Sequence, residues 1–442
     1  MAEAADSSPA AQAPIAGAGQ PSALVEAIFR RELLPWGLMG MACGLVEGAT
    51  VAVLVKRGYT GLVAPHWVNF AVAIVSGAPA LANISSFAWA NLAHGRARVN
   101  LLAGLQAWFA LTVGLIALAP LAASGLLVTI IGVIAARVVW AGILTVRAVV
   151  WSANYPRHVM ARMTSRMVTV GALGVGVVAL LAGAIIDLAP RASRWLYVAA
   201  ALCGLLAAYR YRAVRVRREF QLLAAEAGAN QGQSAFSLRM LREILRGDAL
   251  FGRYMFWLGL YGSGNLMLNA QLVVLFNDHL HLRSLVQILI LTVTPMLVMP
   301  LFLPWWARMF DRGHIIEYRS RQCWALVAAI VVLSAAVLLS QPWMLWPGAV
   351  LIGASYAGAN LGWNLGHNDF ATLGRSQHYM GVHVTLTGVR GLVAPPLGVA
   401  CYEWLEWLRP GAGIASLLLP LGLVTIGAFG FLSMRKMGVS RT

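Results

Sequence analysis

Runs of roughly 20 apolar residues recur along the whole chain, separated by short polar connectors. At 1.5 Å per residue each run makes a helix of about 30 Å, the thickness of a bilayer core. In hydrocarbon the backbone must satisfy its own hydrogen bonds, so such runs fold as helices. Water offers no alternative: the 442 residues are 60% apolar and only 11% charged, too few polar groups to cover a soluble domain. The runs predict helices over 34–55, 66–88, 99–121, 124–148, 165–188, 194–212, 252–276, 285–307, 322–340, 345–367, 378–402 and 413–434. The expected fold is an all-α integral membrane protein with twelve transmembrane helices in two pseudo-symmetric six-helix bundles.

Charge orients the helices. The net charge is +17, which raises the question of nucleic acid. The arginines lie in connectors between apolar runs and form no soluble basic domain, so a nucleic-acid partner is rejected. One set of connectors carries Arg30, Arg31, Arg96, Arg98, Arg157, Arg162, Arg166, the run from Arg210 to Arg253, Arg308, Arg312, Arg319, Arg321, Arg375, Arg435, Lys436 and Arg441. The other carries only Lys56, Arg57, Arg191, Arg194, Arg283 and Arg409. Positive residues stay inside, so both termini and the central loop are expected in the cytoplasm, with the chain in the inner membrane. The expected organisation is a disordered tail over 1–30, bundles over 31–218 and 251–436, a loop over 219–250 and a tail over 437–442. Within the loop, FSLRMLREILRGD reads as a short amphipathic helix on the membrane surface. It serves as a plain linker in preference to a regulatory site.

Cys43, Cys203, Cys323 and Cys401 are isolated within apolar runs and read as buried free thiols. The sequence offers no metal-ligand spacing, no nucleophile–base motif, no phosphate loop and no filter of a pore. The expectation is therefore no enzyme, no cofactor and no metal.

The halves echo each other. SFAWANLAHGRARVN follows the second span and LPWWARMFDRGHIIE the eighth, so Trp89–Ala90 matches Trp306–Ala307. Repeated halves with the same topology mark two-bundle transporters. With twelve spans and a long basic central loop, the chain resembles the major facilitator superfamily. That family's loop signature, G-x-x-x-D-R-x-G-R-R, is partly retained at Asp311, Arg312 and Gly313. In the first half the acid is missing and His94, Gly95, Arg96 and Arg98 stand there instead. The family's Arg in the fourth helix, followed by Gly, is matched by Arg137, with Gly142 one position late. Its Gly-Pro antiporter motif in the fifth helix is absent. The resemblance covers about residues 31 to 436. It implies a central cavity lined by helices 1, 4, 7 and 10 and flanked by helix 11.

Three charges fall in the middle of spans: Glu47, Arg137 and Arg390. Facing lipid, each would cost on the order of a few kcal/mol, so they are expected to face the bundle interior. Glu47 and Arg137 form the candidate proton-coupling pair, because burial raises a carboxyl pKa and a neighbouring Arg lowers it. A fixed ion pair between helices 1 and 4, or direct contact with substrate, are the other readings. Arg390 has no evident acid in its own half. It points to an anionic or zwitterionic ligand, unless it reaches across to Glu47. Further substrate-cavity candidates are Tyr261, Asn265 and Asn269 on the seventh span, and Tyr356, Asn360 and Asn364 on the tenth. Thr387, on the stripe His383, Thr387, Arg390, is another. Trp140 stacks on a ligand or packs.

The stretch NLGWNLGHNDFA closes the tenth span. Asn360, Asn364 and His367 share a helical face there, and His367, Asn368 and Asp369 read as a cytoplasmic gate. Asn154 plays the matching role in the first half, and Asp311, Arg312 and His383 complete the gate. The combined expectation is a monomeric secondary transporter moving a small solute by alternating access, coupled to protons. Its partners are the lipid bilayer and that solute. A non-transporting receptor or scaffold on the same fold is the alternative.

Overall fold

The computed structural model describes residues 22–217, 219–228, 238–371 and 375–436. Among the described residues helix dominates, and the chain crosses from one end of the molecule to the other twelve times. Spans 1 to 6 are Ala23–Tyr59, Pro65–Ala93, Arg98–Ile116, Ala123–Asn154, Arg157–Leu188 and Ser193–Tyr211. Spans 7 to 12 are Ala249–Asp278, Ser284–Asp311, Ile315–Leu338, Leu345–Leu365, Ser376–Leu408 and Ala412–Lys436. Among the described residues nine of these meet the length and hydropathy of a membrane-crossing helix taken singly. The other three, spans 6, 7 and 10, carry Arg194 and Arg210, Asn265 and Asn269, and Asn360 and Asn364. With an even number of crossings Ala23 and Lys436 lie on one face, the terminal face; the other is the opposite face.

The two halves repeat the same packing. Span 1 lies on spans 5 and 6, and span 7 on spans 11 and 12. Span 3 lies on spans 4 and 6, and span 9 on spans 10 and 12; span 2 lies on span 4 as span 8 does on span 10. The halves meet where span 2 packs on span 11 and span 5 on span 8. At the first of these contacts a Cβ on Gly77 would collide with the carbonyl oxygen of Gly391. Only small residues let these backbones approach so closely.

The Trp repeat is structural. Trp89 Nε1 donates to the Val138 carbonyl at 2.9 Å, joining span 2 to span 4. Trp306 Nε1 donates to the Ala354 carbonyl at 2.8 Å, joining span 8 to span 10. Each indole covers a glycine four residues beyond its acceptor, Gly142 and Gly358, where a Cβ would strike the ring. The position of Gly142 is thus set by Trp89.

Several boundaries differ from expectation. Span 1 starts at Ala23, so the tail expected over 1–30 is helical in its last part, and residues 1–21 lie outside the described ones. The expected tail at 437–442 lies outside them as well. The linker holds two helices, Glu219–Gly228 and Leu238–Gly247. The second matches the amphipathic expectation and packs on spans 7 and 11.

The first linker helix, which the sequence reading missed, supplies what the span 2–3 loop lacks. Glu226 accepts from the Gly95 amide at 2.8 Å and pairs with Arg98. Glu219 accepts from the Arg98 amide at 3.0 Å. Burial alone would raise the Glu226 carboxyl, but the Gly95 amide and Arg98 outweigh it and hold it below its ordinary value. A lowered carboxyl favours docking at neutral pH and loses that contribution as pH falls below about 4.5. We expect Glu226→Gln to speed amide exchange across Glu219–Gly228 at pH 7. Unchanged protection would show that the acid does not hold the helix.

Candidate functional site

Span 1 is broken in its middle. Its helix stops at Gly44 and resumes at Gly48, with Glu47 extended (φ −100°, ψ 127°) and Gly48 at φ +41°. That positive φ favours glycine. A Cβ on Gly48 would meet nothing, so open space adjoins the break. Glu47 Oε2 lies 2.5 Å from Arg137 Nη1, and the Cys43 thiol accepts from the same nitrogen at 3.3 Å. The expected pair is therefore formed. It is lopsided: the Arg137 side chain is 8% exposed and that of Glu47 36%.

In the second half most of the predicted cavity residues come together. A cavity of about 350 Å³ is lined by Tyr261, Asn265, Tyr356, Asn360, Thr387 and Arg390. That volume falls at the lower end of small-molecule sites. Apolar wall comes from Leu258, Leu266, Met299 and Trp363. Asn269 stands behind it, bonded to the Tyr356 hydroxyl. Arg390 donates to the Leu258 carbonyl at 2.5 Å, to Thr387 Oγ1 at 2.6 Å and to the Leu386 carbonyl at 3.2 Å. It does not reach Glu47.

Two cavity residues need correction or addition. His383, expected at the gate, lines this cavity, 1% exposed and edge-on to Trp363. Helix 11 reaches deep enough here for its stripe to face span 10. Arg319, read as a connector charge, lies buried in the cavity wall because span 9 begins at Ile315, seven residues early. Its only signal was its place four residues after Ile315, within one turn of the start of the apolar run at 322.

Other expectations resolve differently. Trp140 stacks on Trp36 and tilts against Phe109, so it is a packing residue of the first half. Asn364 is exposed and donates back to Asn360, outside the cavity lining. The expected continuous stripe ends there: span 10 stops at Leu365, and His367 sits in a 3₁₀ turn. His367 Nε2 meets Ser376 Oγ at 3.1 Å, and Ser376 donates to Asn368 Oδ1 at 2.5 Å, tying span 10 to span 11. Burial lowers the His367 imidazole pKa, favouring the neutral ring. Asp369 accepts from the Ile315 amide at 2.7 Å at the start of span 9. Asn154 accepts from the Arg217 amide at 2.9 Å, where the chain leaves span 6. Asp311 and Arg312 are exposed at the turn after span 8.

Polar ties between the halves concentrate at the opposite face. Lys56 Nζ lies 2.8 Å from Asp278 Oδ2 and donates to Asn69 Oδ1 at 2.5 Å. Asn69 in turn donates to Glu403 Oε1 at 2.5 Å. Asp187 receives the Ser284 and Leu285 amides, each at 3.0 Å, at the start of span 8. A carboxylate at a helix N-terminus is favourable. Deeper in, Thr50 meets Thr292 at 3.4 Å. Near the terminal end of the first half, Glu32 is buried and receives the Tyr155 and Tyr211 hydroxyls at 2.5 and 2.7 Å. Arg147 lies beside it between the Trp36 and Trp151 rings, 4.2 and 4.1 Å from their centroids. The four cysteines are unpaired, two buried and two half-buried.

The sequence profile of the Major Facilitator Superfamily matches residues 37–395. No curated protein matches at the level of sequence. Among solved structures, a variant of the nucleoside transporter NupG superposes with a TM-score of 0.71 at 14% identity, covering 92% of this chain and 99% of that one. A D-xylose-proton symporter gives 0.70 at 13% identity, covering 95% and 99%. A bacterial homologue of the human lysosomal transporter Spinster, in an inward-facing and occupied conformation, gives 0.64 at 11%, covering 94% and 98%. At these identities the likeness is one of fold.

Proposed function

The chain belongs to the major facilitator superfamily, and from that premise we propose that it is a secondary active transporter moving a small solute by alternating access, with protons bound and released at Glu47. One observation carries this reading. The halves are tied to each other at the opposite face by Lys56–Asp278, Asn69–Glu403 and Asp187 on span 8, while span 10 becomes exposed at Asn360 in the cavity wall and at Asn364 beyond it toward the terminal face. A two-bundle transporter alternates by closing one face and opening the other. With the basic terminal face in the cytoplasm, the form described here is inward-facing and the protein sits in the inner membrane as a monomer.

The broken span 1 supports proton coupling. Its unwound turn presents Glu47 to open space on one side and to Arg137 on the other. Protonation of Glu47 removes the charge that holds Arg137, so proton binding and helix position are linked. The test is uptake into proteoliposomes under an imposed pH gradient, with a sugar, a nucleoside, an amino acid and a dicarboxylate offered in turn. Wild type accumulates at least one of them faster with acid outside. Glu47→Gln loses that dependence. A Glu47→Gln protein whose uptake still follows pH as wild type does removes Glu47 from the coupling.

A further inference from the structure

Arg319 and Arg390 share one cavity, and all of their hydrogen-bond partners are neutral. Arg319 donates to Gln322 Oε1 at 2.8 Å and meets Tyr254. Arg390 holds two carbonyls and a threonine hydroxyl. No ion pair among the described residues includes either one. The buried cations Lys56, Arg98 and Arg137 each have a carboxylate, whereas buried Arg319 and half-buried Arg390 have none.

Polar atoms without a partner, donors and one amide oxygen, belong to residues that line the same space. Arg319 is 2% exposed and its Nε has no partner. His383 is 1% exposed and neither ring nitrogen has one. Asn265 Oδ1 is likewise unpartnered. A buried charge without a counter-charge is strongly unfavourable, and a buried donor without an acceptor adds to the cost. A site with two cations, a spare imidazole and an apolar wall of Leu258, Met299 and Trp363 is complementary to an anionic head on an apolar body.

We infer that this cavity binds a small organic carboxylate carrying one or two negative charges, each carboxylate at one of the guanidiniums of Arg319 and Arg390 and the carbon chain against Trp363. The inference rests on the transporter reading above, since it names the solute class for that cavity. Two guanidiniums match two carboxylate charges, so a dicarboxylate binds more tightly than a monocarboxylate of the same length.

Three six-carbon probes that differ in charge test this: adipate, hexanoate and 1,6-hexanediol. Each is titrated into the purified full-length protein in nanodiscs, with binding read by calorimetry and by thermal shift. Adipate binds most tightly, hexanoate less so, and hexanediol produces no shift. Arg390→Gln and Arg319→Gln each weaken adipate binding by about tenfold or more, the loss expected on removing a charge-assisted hydrogen-bond pair. If either variant melts early without ligand, the wild-type comparison of adipate with hexanediol decides alone. Hexanediol binding as well as adipate, or the absence of a shift with both acids, overturns the inference. So does a folded Arg390→Gln and Arg319→Gln pair with wild-type affinity. Binding needs neither flux nor a proton gradient. Adipate binding together with pH-insensitive uptake removes only proton coupling, whereas proton-driven uptake of a neutral solute without adipate binding removes only the anion site.

Discussion

Replacing Lys56 with Met opens the face of the molecule that is closed here. The Lys56 side chain is 4% exposed and ties span 1 to Asp278 on span 7. Through Asn69 it also ties span 2 to Glu403 on span 11. One ammonium thus serves two carboxylates of the other half. Without it Asp278 and Glu403, both on the second-half side of the seam, lose the cation that faces them from span 1, and the attraction that holds the seam closed goes with it. Breaking a buried pair costs roughly 3–5 kcal/mol. Asp278 is 28% exposed and recovers part of that from water, which leaves about 2 kcal/mol. At 1.36 kcal/mol per decade this is a shift of roughly thirtyfold toward the form open at the opposite face. Nitroxide labels at Leu62 and Arg409, one in each half and both exposed at that face, report it as a longer distance population. An unchanged distance distribution in Lys56→Met would mean that the seam is held by packing of span 2 on span 11 alone.

The apolar runs made the architecture legible, because each helix must satisfy its backbone inside its own sequence. The polar stripes were legible for a related reason. Tyr356 and Asn360, Tyr261 and Asn265, and Thr387 and Arg390 each obey helical spacing on spans that are otherwise apolar, and all six reach one cavity. What escaped were charges near the ends of runs. Lys56 and Arg319 sit where hydropathy falls, so they read as connector residues, and Glu32 and Arg147, also near the ends of runs, were not singled out. In the folded chain the helices continue past them and they are buried by partners distant in sequence. Tyr155 and Tyr211 serve Glu32, and Asp278 serves Lys56. A window of hydropathy contains no information about such partners. The linker helix Glu219–Gly228 was missed for the same reason. Its acids take their meaning from Gly95 and Arg98, more than a hundred residues away.

The lopsided burial of the Glu47–Arg137 pair makes the two halves of that pair unequal in a second large effect. Removing the acid costs more stability than removing the base. In Glu47→Ala the guanidinium of Arg137, 8% exposed, keeps only the Cys43 thiol as a hydrogen-bond acceptor, and its Nε already lacks one. The loss is about 3–5 kcal/mol, as for other buried pairs broken from one side. In Arg137→Met the carboxylate left behind is 36% exposed and borders open space at Gly48. Water reaches it, and a flexible apolar side chain of similar length fills the site of the guanidinium. The loss there is about 1 kcal/mol. Glu47→Gln keeps an acceptor oxygen for Arg137 and falls between the two, which is why that variant can test transport without unfolding the bundle. Guanidinium denaturation of the three reconstituted variants orders them Arg137→Met, Glu47→Gln, Glu47→Ala by increasing loss. An Arg137→Met protein less stable than Glu47→Ala would place the burden of the pair on the acid. The break in span 1 would then be a folding feature held by Arg137, and its link to proton movement would lose its physical basis.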